Sequence, residues 1–149
     1  MELKTAASTI TYITQVERES SAFYVKWADR HEELREAFLS FSKENSNNEK
    51  SIKRTYFGVV SDALETNFCF KGIVTDIEMP SLRKDASPEE ILKASMALEE
   101  EIKGFYEKAA ESSGRLFADV PRAMQKVARS RGSRMEKLNS MMLLKKDIT

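Results

Sequence analysis

The chain has 149 residues, of which 41% are hydrophobic and 32% are charged, and its formal net charge is zero. This composition predicts a single folded domain over residues 1–149 with a substantial core, and it excludes a disordered chain. No apolar run approaches the roughly 18 residues that a membrane helix needs. The N-terminus lacks a signal-peptide core, so we expect a cytoplasmic protein with no membrane partner.

The sequence contains one cysteine and one histidine. A single cysteine excludes an internal disulfide and a CxxC pair, and a single histidine excludes a site that needs two imidazoles from one subunit. Cys69 lies between Phe68 and Phe70, which favours a buried, inert thiol. His31 falls at the end of the first predicted helix, where a cation suits the helix dipole.

Helical periodicity predicts a first helix from Ser8 to Asp29 and a second from Glu32 to about Leu64. The segment from Asn45 to Asn48 is unfavourable for a helix, because Asn and Ser side chains compete for backbone hydrogen bonds. The second helix could therefore divide there. We prefer one continuous helix, since the apolar pattern keeps its phase on both sides of the segment.

A long connection, about residues 65–86, precedes the third helix, and its apolar residues predict that it packs on the bundle. Ser87 is the expected N-cap, with Pro88 in the first helical position and Glu90 completing a capping box. This helix should end near Ser113 with Gly114 as its C-cap. The fourth helix should begin after Asp119 and reach about Leu144.

Charge is unevenly distributed, because residues 115–149 hold nine Lys and Arg residues against three Asp and Glu. Such a block could contact an anionic partner. More often it is a solvated helix face together with arginines that are paired internally, so nucleic-acid binding is not expected.

Each predicted helix has a stripe at alternating steps of three and four residues, the spacing of a packed seam. The stripes are mainly apolar but carry polar residues about halfway along. The stripe of the fourth helix, for example, passes from Val127 to Leu138 through Arg131 and Arg134. Together the stripes predict one buried polar layer, consisting of Glu17, Asn45, Asn48, Glu99, Arg131 and Arg134. Because buried polar groups are costly unless paired, this layer is the candidate site.

The two predicted hairpins also resemble each other. Residues 16–28 align with residues 98–110, with Glu, Glu, Phe, Tyr, Lys and Ala recurring in register. The second and fourth helices match more weakly. We interpret the pattern as an internal duplication of a helix pair.

These features resemble the ferritin-like superfamily, and rubrerythrin-type domains in particular. The resemblance rests on two helix pairs, a long crossover, and a Glu followed seven residues later by Tyr: Glu17 with Tyr24, and Glu99 with Tyr106. It implies an all-α fold, an antiparallel four-helix bundle of two hairpins joined by a crossover. It also implies a di-iron centre of four carboxylates and two imidazoles, and a homodimer.

The sequence departs from that family where the metal would bind. The Glu-x-x-His positions hold Asn45 with Asn48, and Arg131 with Arg134; a register one residue earlier offers Glu44 and Ser130 but still no histidine. Arg has no lone pair to donate to a metal. We therefore expect no cofactor and a network in which the arginines pair with Glu17 and Glu99, the only family ligands that remain.

Two functions follow from these observations. The first is a non-catalytic scaffold or binding protein whose metal pocket is replaced by a Glu/Arg/Asn cluster, with Tyr24 and Tyr106 as flanking core residues. The alternative is a di-iron oxidoreductase acting on peroxide or oxygen, with Glu17 and Glu99 as ligands. Its further, atypical ligands would come from Glu44, Glu100 or Glu101 through an unusual helix phase. A small anion clamped by Arg131 and Arg134 is a further candidate ligand.

Overall fold

The computed structural model describes residues 6–60, 76–113 and 119–148, and these contain four helices and no strand. The helices are α1 (Ala6–Arg30), α2 (Glu32–Val60), α3 (Pro88–Ser113) and α4 (Asp119–Ile148). The all-α fold class is thus confirmed. None of these helices combines the length and apolarity needed to cross a membrane.

The helix boundaries agree with the periodic patterns to within a turn. α1 and α2 are separated only by His31, so the predicted tight hairpin is present. α4 continues one turn beyond Leu144, because the apolar stripe marks only the part of a helix that packs. The predicted Gly114 C-cap, residues 61–64 of the second helix, and Cys69 lie outside the described residues.

α2 is continuous through Asn45–Asn48, as expected, and the contacts of Asn45 show why. Its Nδ2 donates to Ser20 Oγ at 2.8 Å and to the Glu17 carbonyl at 3.3 Å, both on α1. An Asn side chain bonded to another helix no longer competes for its own backbone. Tertiary contact therefore overrides the low local helix propensity.

The start of α3 follows the predicted cap. The backbone N–H of Glu90 donates to Ser87 Oγ at 3.2 Å, and that of Ile91 to the Ser87 carbonyl at 3.0 Å. Pro88 is the first helical residue, where its missing N–H costs nothing.

Contacts along α1 show how its neighbours are oriented. Residue numbers rise along α1 as they fall along α2, in the pairs Arg18–Glu49, Ser20–Asn45 and Ser21–Ser42. Along α3 the numbers also fall overall, from Phe105 opposite Tyr12 and Tyr106 opposite Glu17 to Glu99 opposite Tyr24. Both α2 and α3 therefore run opposite to α1.

The described part of the connection before α3 packs beside α1. The backbone N–H of Ile77 donates to Tyr12 Oη at 3.3 Å, near the start of α1. At the other end, Arg30 Nη1 donates to the Lys84 carbonyl and His31 Nε2 to the Ala86 carbonyl, each at 3.1 Å. Residues 65–75 lie outside the described part of the chain, but the remainder of the predicted connection does pack on the helices.

The core is continuous and draws on all four helices. Its largest fully buried apolar and aromatic side chains include Trp27, Tyr24, Tyr106, Phe38, Ile13, Leu34, Ile52 and Ile91. Arg131 and Arg134 are also among the largest fully buried side chains of the protein. Since buried charges need partners, their contacts define the site.

We expect Gly104→Ala to raise the free energy of unfolding by about 0.5–1 kcal/mol, because Ala is the better helix former. A Cβ at Gly104, in the middle of α3, would meet nothing within 4 Å. Chemical denaturation followed by circular dichroism measures the change. Gly132→Ala is the matched variant on α4. There the new Cβ would have a neighbour, the Lys103 side chain, at the ordinary contact distance of 3.5 Å. Destabilisation by Gly104→Ala would contradict the prediction.

Candidate functional site

The six polar residues predicted to share one layer are all buried. The most exposed of them retains 9% of its accessible surface, and the set comprises Glu17, Asn45, Asn48, Glu99, Arg131 and Arg134. Each helix contributes to it, because the stripe on each helix faces the same core. By contrast, Glu19, Glu100 and Glu101 are exposed, as the phase of the stripes predicts.

Arg131 lies between the two buried glutamates. Its Nη1 donates to Glu99 Oε1 at 2.7 Å and its Nη2 to Glu17 Oε2 at 2.8 Å. All three side chains have zero exposure. One guanidinium on α4 therefore links α1 to α3, and it bridges two carboxylates instead of binding one of them bidentately.

Arg134 extends the network toward α2. Its Nη1 donates to Glu99 Oε1 at 3.0 Å, while its Nη2 donates to Glu44 Oε1 at 3.0 Å and to the Phe41 carbonyl at 3.3 Å. The guanidinium carbon lies 4.8 Å from the centre of the Phe41 ring and 5.5 Å from that of Tyr24. These cation–π contacts add to the ion pairs.

The two flanking tyrosines make reciprocal bonds across the bundle. Tyr24 Oη donates to Glu99 Oε1 at 2.6 Å, and Tyr106 Oη donates to Glu17 Oε1 at 2.5 Å. Each tyrosine thus bonds to the glutamate of the other hairpin, at equivalent positions of the internal repeat. Burial, followed by the neighbouring carboxylate charge, raises the pKa of both phenols well above the ordinary value of 10.0, so both stay neutral donors.

Electrostatics keep Arg131 charged in the core. Burial alone would lower the pKa of its guanidinium, but the charges of Glu17 and Glu99 outweigh that effect, and the net pKa lies above its ordinary value. Arg131 therefore remains a cation wherever the two carboxylates are ionised.

The two predicted amides behave differently. Asn45 joins the layer through Ser20 and the Glu17 carbonyl, as described above. Asn48 is buried, but its Nδ2 has no hydrogen-bond partner among the described residues. Asn48 thus belongs to the layer by position and not by contact.

Three members of the network lie outside the six predicted positions. Glu44 accepts from Arg134 and from Ser130 Oγ, and its side chain is 37% exposed. Ser20 Oγ accepts from Asn45 and donates to the Glu17 carbonyl. Ser20 falls on the α1 stripe, so its position was visible in the sequence. Glu44 and Ser130 each precede a stripe residue by one position, so only the placement of α2 against α4 identifies them.

The donor set does not fit two divalent metal ions. Guanidinium and phenol groups occupy both oxygens of Glu17 and Oε1 of Glu99, and a guanidinium cannot ligate. Among the described residues, only Glu99 Oε2 of these four oxygens has no hydrogen-bond partner. The one histidine is bonded to Ala86, away from this layer. Within the described ranges, no three His, Cys, Asp or Glu residues are placed to hold a metal ion together.

The network has no excess positive charge. Arg131 and Arg134 supply two positive charges, and Glu17, Glu99 and Glu44 supply three negative ones. This balance does not favour a further anion, and the anion bound by Arg131 and Arg134 stays a prediction. The evident chemical capacity of the network is to join four helices through charged hydrogen bonds.

Comparisons with models of protein families, with curated proteins and with solved structures found no match.

Proposed function

We propose that this protein is a non-catalytic bundle of the ferritin-like, rubrerythrin-type architecture, acting as a scaffold or binding protein. In it, an arginine–glutamate network takes the place of the di-iron centre. The observation that carries the proposal is the position of Arg131, whose guanidinium is hydrogen-bonded to Glu17 and Glu99 on either side. Those carboxylates are the two ligands that the family resemblance assigns to iron.

The directions of the helices support a ferritin-like topology. α2 and α3 both run opposite to α1, so they run in the same direction, and a connection between them must travel the length of the bundle. The contacts of residues 77–86 span α1 from Tyr12 to Arg30. That stretch of helix is about 27 Å long at 1.5 Å per residue, and a nearly extended segment of this length can follow it.

The local chemistry supports the absence of catalysis. Tyr24 and Tyr106 are neutral donors to glutamates that also bind a guanidinium, and both phenols are fully buried. A general base or a metal ligand needs an available lone pair directed at its substrate or ion. Here three of the four oxygens of Glu17 and Glu99 accept hydrogen bonds from tyrosine and arginine, and the fourth, Glu99 Oε2, is buried.

We expect protein purified from iron-supplemented cells to contain far less than one equivalent of iron per chain. Mass spectrometry of the metal measures this content. The control variant is Asn45→Glu/Asn48→His/Arg131→Glu/Arg134→His, which restores the family motif and should bind Co²⁺ with visible absorption. About two equivalents of iron in the wild type, with an oxo-bridge absorption, would overturn the proposal. It would favour the oxidoreductase instead.

A further inference from the structure

One side of the bundle carries two rows of exposed basic residues. On α2 the row is Lys43, Lys50 and Arg54, with Asn47 between them, at steps of four, three and four residues. On α4 the row is Arg122, Lys126 and Arg129, followed by Ser133, at the same steps. Because steps of three and four return to one face of a helix, each row lines a single face. We call the two rows together the basic face.

The register between α2 and α4 sets the two rows at the same level of the bundle. Glu44 contacts Ser130 and Arg134, and Arg134 also reaches the Phe41 carbonyl. Numbers fall along α4 as they rise along α2, so the same register places Lys50 level with Lys126 and Arg54 level with Arg122.

Few acidic groups offset these charges. Residues 120–135 contain no Asp or Glu. On α2, Glu44 is bound to Arg134, and Glu49 is bound to Arg18 and Lys53. None of the six cations of the basic face forms an ion pair with another described residue. Within the described part of the chain, the face therefore presents six positive charges that no ion pair offsets, in a protein whose net charge is zero.

The character of the basic face indicates the kind of partner. Its uncharged members, Asn47 and Ser133, are polar donors. The large exposed hydrophobic residues of the described chain all lie outside the two rows: Val25, Leu39, Leu143 and Leu144. A membrane-inserting helix or a protein interface needs apolar contacts, and single-stranded nucleic acid is bound on exposed aromatic rings. Lys, Arg, Asn and Ser are instead the side chains that bind phosphates of a duplex backbone.

We propose that the basic face binds the phosphate backbone of double-stranded nucleic acid without sequence preference. Packed helices lie about 8–10 Å apart, so cations of both rows can contact phosphates of one duplex at the same time. Each row spans twelve residues, and its eleven helical steps cover about 16 Å of helix. This interaction is separate from the buried network and adds a partner to the scaffold.

Fluorescence anisotropy with a 20-base-pair DNA duplex, measured between about 25 and 200 mM NaCl, tests the proposal. Six phosphate contacts give a slope of log K against log salt of about −5, from about −0.9 per contact. In Lys50→Gln/Arg54→Gln/Lys126→Gln the slope should become shallower by about 2.7. The control, Lys84→Gln/Lys93→Gln/Lys108→Gln, changes net charge equally at exposed sites elsewhere and should retain wild-type binding.

Three results would overturn the inference. The first is no binding of the duplex at 25 mM NaCl, and the second is equal loss of binding in the two triple variants. The third is binding of the basic face to something else: to phosphatidylserine vesicles, or to the exposed carboxylates Glu100 and Glu101 of a second copy. Vesicle sedimentation and light scattering at low salt detect these alternatives. All the substituted residues are exposed, and thermal melting confirms that each variant is folded.

Discussion

Replacing Arg131 with methionine is expected to lower the free energy of unfolding by about 3–5 kcal/mol, the cost of leaving a buried charge unpaired. Glu17 would keep only Tyr106 as a side-chain donor, and Glu99 would lose its shortest ionic contact. Methionine is unbranched and apolar, so the loss reports mainly on charge and less on volume. Urea denaturation followed by circular dichroism measures it.

Two other arginines of α4 provide controls. Arg134→Met should cost less than Arg131→Met, because Glu99 retains Arg131 and Tyr24, and the half-exposed Glu44 can turn to water. Arg129→Met, at an exposed position, should change stability by no more than about 0.5 kcal/mol.

A compensated variant separates charge from packing. In Glu17→Gln/Arg131→Met the one carboxylate left without an ionic partner disappears while Glu99 keeps Arg134, and we expect most of the lost stability to return. Apolar or neutral replacement of a whole buried ion pair is often close to neutral. If Arg131→Met alone stays within about 1 kcal/mol of the wild type, the network does not stabilise the bundle as described.

Stability is expected to fall steeply above pH 10, and Tyr24 and Tyr106 are the reason. Burial raises the pKa of both phenols well above 10.0 in the folded protein, so only the unfolded chain ionises there. The stabilising effect of the raised pKa is complete below pH 10 and is lost as the pH rises toward the folded value. Each group contributes a slope of about 1.4 kcal/mol per pH unit, and the two together about 2.7.

Denaturation curves measured between pH 9 and pH 12 test this slope. Tyr24→Phe/Tyr106→Phe should be less stable at pH 7, since it loses two hydrogen bonds to carboxylates, yet its stability should depend less on pH above 10. Tyr12→Phe is the control: the pKa of this half-buried phenol is raised chiefly by burial, with a backbone bond from Ile77 opposing the shift. An unchanged alkaline slope in the double variant would show that these phenols ionise within the folded protein.

The positions of the buried polar residues were predictable because helical periodicity determines which side of a helix is buried. Glu17, Glu99, Arg131 and Arg134 each interrupt an otherwise regular apolar stripe. The cap at Ser87 and Pro88 was predictable for a similar reason, since it depends on a few adjacent residues. For Asn45, the helical phase was a better guide than local propensity, because a contact with α1 decided the outcome.

The partners of those residues could not be predicted in the same way. The seven-residue spacing placed Tyr24 near Glu17 on one helix, but its hydroxyl bonds to Glu99 on another. Glu44 was missed as a partner of Arg134 because it lies one position off its stripe. The sequence predicts a solvated face for the basic charges of α4, and only the register with α2 shows that a second basic row lies at the same level. Each of these facts depends on how helices are set against one another, which periodicity does not encode.

The reciprocal tyrosine bonds suggest a history for the two halves of the chain. Two identical hairpins could exchange these bonds as a symmetric pair, since each offers one hydroxyl and accepts another. They could not form the ionic network, because both buried arginines come from α4 and the matching positions of α2 hold amides. The halves are thus complementary and not interchangeable: a protein assembled from two copies of the first hairpin would enclose two negative charges with no cation to balance them.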